Sequence, residues 1–88
     1  MRNRKLEFSK PFDKIFRQLP ANVRELTYEK LELFLANPAH PSLRVKQVKG
    51  THGIWEMSVN MNYRITFEVW PEKIYLRRIG THDILRHP

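Results

Sequence analysis

The chain has 88 residues, a length that excludes a catalytic barrel, a dinucleotide-binding unit with its substrate domain, or any second core. It is 41% hydrophobic and 28% charged, values of a globular domain rather than a disordered one, and it has no cysteine for disulfides, thiolate nucleophiles or cysteine-held zinc. Sixteen lysines and arginines against nine acids leave a formal net charge of +7. Residues 1–43 carry eight bases and five acids, and residues 44–88 carry eight and four, so no detachable tail holds the excess. A compact domain with this balance attracts polyanions: RNA, DNA or an acidic protein. No apolar run approaches the roughly 18 residues of a membrane helix, and no apolar segment follows the basic start of the chain. The expectation is one cytoplasmic domain over residues 1–88, without a signal peptide or a membrane span.

In chain order, Arg4–Phe8 alternates weakly and is expected to form a short first strand. Ser9-Lys10-Pro11 opens a helix, with Ser9 as its N-cap and Pro11 in the first turn. Phe12, Ile15, Phe16 and Leu19 follow helical spacing along one apolar face. Pro20 ends that helix. Asn22 is expected to cap a second helix, with Glu25 three residues later, and Val23, Leu26, Thr27, Leu31 and Phe34 form its apolar face. Asn37-Pro38 ends it. Leu43–Val48 is expected to be a strand, with Arg44 and Lys46 pointing outward. After the Gly50–Gly53 turn the period becomes two: Trp55, Met57, Val59 and Met61 alternate with Glu56, Ser58 and Asn60. Asn60–Asn62 turns the chain, and Tyr63, Ile65, Phe67 and Val69 then alternate with Arg64, Thr66 and Glu68. Ile74–Ile79 is the last strand. The expected fold class is α+β, a small two-layer β-α-α-β-β-β-β arrangement. Two N-terminal helices pack on a mainly antiparallel twisted sheet whose other face is polar.

The chain lacks phosphate-loop, dinucleotide and zinc-protease motifs, and its four histidines do not pair at metal-ligand spacing. No metal or cofactor is expected. What remains is cationic and imidazole chemistry. Arg64 lies on the polar phase of its strand. His82 follows the last strand in Gly80-Thr81-His82-Asp83. With basic neighbours Lys46, Lys49 and Arg78, these residues suffice for RNA cleavage without a metal, because RNA supplies its own nucleophile, the 2′-hydroxyl. The protein then has only to orient it, move a proton and stabilise the phosphorane. Histidines titrate near neutrality, and arginine grips phosphate with two prongs. Each residue also has a purely structural reading. Arg64 can pair with Glu56 or Glu68 across its strand, and His82 can belong to the cap of a terminal turn behind Thr81.

Two motifs then carry a family resemblance. His40-Pro-Ser-Leu-Arg-Val-Lys-Gln-Val-Lys-Gly50, followed by Gly-Ile-Trp-Glu and by Asn62-Tyr63-Arg64-Ile65-Thr-Phe-Glu-Val69, resembles the RelE/ParE superfamily of toxin–antitoxin systems. Arg77-Arg-Ile-Gly-Thr-His82-Asp-Ile-Leu85 is similar to the closing segment of its YafQ-like branch. The resemblance spans essentially the whole chain. It implies an endoribonuclease that enters the ribosomal A site, cleaves mRNA and is held inactive by a cognate acidic antitoxin. Arg64 falls at the phosphate-binding arginine, His82 at the catalytic histidine, and Lys46 where the branch often has a histidine. Arg44, Lys49, Arg77, Arg78 and Arg86 are expected to contact RNA. At most one of Arg77 and Arg78 is expected on that surface, because alternation sends them to opposite faces. Ser58 and Asn62 stand where the branch can have histidine and aspartate, and Arg86 and His87 stand where many relatives have an aromatic. Two other readings share the fold: a ParE-like inhibitor of DNA gyrase, and a non-catalytic module that binds antitoxin or RNA.

Overall fold

A computed structural model describes residues 4–88; residues 1–3 of the expected domain lie outside the described residues. Strand β1 (Lys5–Phe8) leads into helices α1 (Lys10–Gln18) and α2 (Ala21–Ala36), then a single 3-10 turn at Pro41–Leu43. Four strands follow, β2 (Lys46–Gln47), β3 (Trp55–Ser58), β4 (Arg64–Val69) and β5 (Lys73–Gly80), and a second 3-10 turn, His82–Arg86, closes the described chain. The sheet runs β1-β5-β4-β3-β2, with β1 parallel to β5 and every other pair antiparallel. The two helices carry the chain from one sheet edge to the other. This is the expected α+β order.

The start of α1 is tied to the sheet by its cap. Ser9 Oγ accepts from the Phe12 amide at 3.1 Å and donates to the Arg77 carbonyl at 2.7 Å, so one hydroxyl serves both helix and strand. Phe12 and Phe16 are buried, while Ile15 sits at the margin of the same face, 40% exposed. Helix α2 opens earlier than expected. The Pro20 carbonyl accepts from Val23 and Arg24 at 3.0 Å each, so Pro20 stands at the N-cap position and Asn22 lies inside the first turn. A proline costs nothing there, because its missing N–H has no helical partner to lose. Val23, Thr27, Leu31 and Phe34 face the core, where Phe34 meets Phe67 edge-on at 5.0 Å.

Three strand expectations change. The strand expected over Leu43–Val48 shrinks to Lys46–Gln47. Leu43 is drawn fully into the core by its 3-10 turn, and Arg44 takes a left-handed φ of 51° that breaks the extended chain. Strand β3 ends at Ser58, and Met61, expected in the apolar phase, is 86% exposed at the tip of the next turn. Asn60 Oδ1 forms that turn by accepting from the Asn62 and Tyr63 amides at 2.8 Å each. Finally, the register of β4 with β5 shifts: Thr66 faces Arg78 and Phe67 faces Leu76, which leaves Arg77 as an inserted bulge residue.

The bulge overturns one part of the expectation for Arg77 and Arg78, that alternation sends them to opposite faces. Arg77 Nε and Thr66 Oγ1 both donate to the Pro88 carbonyl, at 3.1 and 3.0 Å, and Arg78 is the ladder partner of Thr66. Both arginines therefore lie on the face away from the helices. That face is also less open than alternation implies. The terminal turn packs over β4 and β5, and Glu56, Ser58 and Thr66 are buried on it.

Candidate functional site around His82

The terminal turn sets the site because of one missing side chain. A Cβ at Gly80 would stand 2.7 Å from Ile84 Cγ2. Glycine at the end of β5 lets the chain fold back onto the sheet, and the fold-back brings His82 over the β2–β3 side. There a hollow of about 380 Å³ is lined by Lys46, Lys49, Glu56, His82 and Leu85. Lys46, Lys49 and His82 are exposed at its rim, and Glu56, the ladder partner of Lys46, is buried at its base.

Arg64 begins β4, between Ser58 on β3 and Gly80 on β5. Its Nη1 donates to Ser58 Oγ at 3.1 Å and lies 3.6 Å from Glu56 Oε1. The polar neighbour Ser58 is the one that strand phase implies. Glu56, one of the two acids that the structural reading offered, is the one beside Arg64. Of the two acids considered as partners, Glu68 is taken: it accepts from Arg77 Nη1 and from Trp70 Nε1. Arg64 is thus fixed at one nitrogen and has no hydrogen-bonding partner for Nε or Nη2 among the described residues.

The other expected RNA contacts divide. Arg78 is exposed beside a small cleft with Ser9, Tyr75 and Arg77. Arg77 is committed to Glu68 and to the Pro88 carbonyl. Arg44 lines a separate hollow with Lys30, Ser42 and Asn60, and Arg86 is exposed at the end of the terminal turn. The structure therefore gathers Lys46, Lys49 and His82 around one hollow, connects Arg64 to it through Glu56, and leaves Arg44, Arg77, Arg78 and Arg86 outside its lining. Sequence reasoning named Glu56 only as a possible ion-pair partner. Its strand phase with Ser58 was a usable signal, but the hollow it lines is completed by His82 and Leu85 from the distant terminal turn.

A cationic hollow with an imidazole at its rim and a half-committed guanidinium beside it can bind a phosphodiester, orient it and exchange a proton with it. No protein-family model matches the sequence, and no curated protein matches it. Solved structures do. The chain superposes on YoeB in the YoeB dimer from Staphylococcus aureus with a TM-score of 0.76 and 19% identity, covering 91% of this chain and 98% of that one. For the archaeal RelE–RelB complex from Pyrococcus horikoshii the TM-score is 0.74 at 15% identity, with 90% and 94% covered. For the E. coli DinJ–YafQ toxin–antitoxin complex it is 0.72 at 18%, with 94% and 97% covered. The chain has the fold of the RelE/ParE-superfamily toxins.

Proposed function

We propose that this chain is the toxin of a type II toxin–antitoxin pair, a ribosome-dependent endoribonuclease that cleaves mRNA without a metal. The observation that carries the reading is the hollow formed by Lys46, Lys49 and His82, with Arg64 tethered at its edge, in a fold of this kind. In the proposed reaction the 2′-oxygen of one nucleotide attacks the adjacent phosphorus and loses its proton. The bond from phosphorus to the 5′-oxygen breaks, leaving a 2′,3′-cyclic phosphate and a 5′-hydroxyl. Arg64 takes phosphate oxygens with its free prongs as charge builds on the phosphorane. His82 delivers the proton that the departing 5′-oxygen needs. The 2′-hydroxyl proton passes to water, Lys46 stabilises the 2′-oxygen as that proton leaves, and Lys49 and Arg78 hold flanking phosphates. An acidic antitoxin is the proposed inhibitor, matched to the net charge of +7.

Expression in cells, followed by primer extension on mRNA, tests this. Codon-phased cuts with growth arrest are expected from the wild type. A His82→Ala variant should lose most of both, since general acid–base catalysis contributes roughly 10²–10⁴-fold. DNA damage without mRNA cuts would instead favour gyrase inhibition, and neither effect would leave a binding module.

A further inference from the structure

The proposed reaction leaves one buried charge unused. Glu56 is 3% exposed and is the only ionisable side chain buried among the described residues. Its Oε1 is sealed from solvent and has no hydrogen-bond partner. A carboxylate in that state is unfavourable unless nearby positive charge compensates it. The compensating groups are Arg64, whose Nη1 is 3.6 Å from Oε1, and Lys46, its ladder partner. The enclosed oxygen, Oε1, is the one that faces Arg64, so it acts on the guanidinium rather than on a substrate.

We propose that Glu56 is a positioning residue for Arg64. Ser58 Oγ and Glu56 Oε1 both draw on Nη1, so the guanidinium is held by one corner from behind. Nε and Nη2 keep their hydrogens for two oxygens of one phosphate. A guanidinium already oriented in the free protein loses less freedom when the phosphate arrives, and it stands in place as charge develops. The same negative charge offsets the pull of Lys46, Lys49 and Arg64 on any polyanion. Glu56 thus favours cleavage and opposes tight binding.

The kinetic consequence rests on the nuclease reading, so the test has an arm that does not need activity. In the full-length protein, ¹⁵N relaxation of the Arg64 Nε–H group should report an ordered side chain in the wild type and a mobile one in Glu56→Gln. A short single-stranded DNA, which lacks the 2′-hydroxyl, should bind Glu56→Gln roughly 2- to 5-fold more tightly. Single-turnover cleavage on programmed ribosomes should fall on the order of 10- to 100-fold in the same variant. A purely structural glutamate would lower both binding and rate with the folded fraction. Glu56→Asp keeps the charge one methylene further back and should recover part of the order and the rate. Equal Arg64 order in wild type and Glu56→Gln, or loss of rate and affinity together, would overturn the proposal. A wild type that cuts no RNA would remove the nuclease reading, while the Arg64 order would still decide the role of Glu56.

Discussion

At the scale of single residues, the site turns on how Arg64 is held. An alternating strand places Arg64 opposite Ser58, and the 3.1 Å bond between them follows from a two-residue period that anyone can count in the sequence. Glu56 shares that phase, yet alternation alone assigns it to solvent. It is buried at a hollow whose other wall, His82 and Leu85, comes from the distant terminal turn, and local patterns do not encode such a meeting. Arg64→Ala should slow single-turnover cleavage by on the order of 10²–10³-fold, the effect of removing one contact aimed at transition-state charge. Arg64→Lys keeps the charge without the fork and should regain only part of that loss. Wild-type rates in Arg64→Ala, with the fold intact by circular dichroism, would make Arg64 a structural strand residue.

At the scale of elements, the terminal turn matters most. Gly80 is the residue that admits it, and Ile84 fills the space a Cβ would need. The Cγ2 of an isoleucine cannot swing aside without changing a stiff χ1, so the turn itself must lift. Gly80→Ala should destabilise the protein by about 1–3 kcal/mol and lower cleavage more than the folded fraction explains. Adding Ile84→Ala should restore part of the lost rate by reopening the space. Denaturant melts read beside cleavage rates would check both, and a Gly80→Ala variant with normal stability and rate would contradict this role for the turn. The same scale separates what was legible from what was not. The Ser9 cap and the Phe12–Phe16 face use contacts three or four residues apart, and both were legible. The early start of α2, the short β2 and the bulge at Arg77 were not. The helix start is set by the adjacent Pro20 carbonyl, which a helix-stopping reading of proline passes over, and the other two are set by elements elsewhere: by the core taking Leu43 and by the tail taking Arg77. The bulge has the largest consequence for the site, because it turns Arg77 and Arg78 to one face and commits only Arg77 to an ion pair.

At the scale of the molecule, the helices cover one face of the sheet and the terminal turn partly covers the other. The basic excess is spread over both halves of the chain, which suits a surface that meets extended polyanions rather than a single small anion. Within that surface, His82, Lys46 and Lys49 share one hollow, and Arg64 is tied to its base through Glu56. The central claim is that this hollow cleaves mRNA by 2′-hydroxyl attack. The most direct test is to incubate the purified protein with ribosomes programmed with a defined message and to analyse the ends of any cut. The account predicts cuts within the A-site codon, each with a 2′,3′-cyclic phosphate on one side and a 5′-hydroxyl on the other, formed in the presence of a divalent-metal chelator that leaves the ribosomes assembled. An intact message on ribosomes that the protein binds, or cuts that end in a 5′-phosphate, would contradict it.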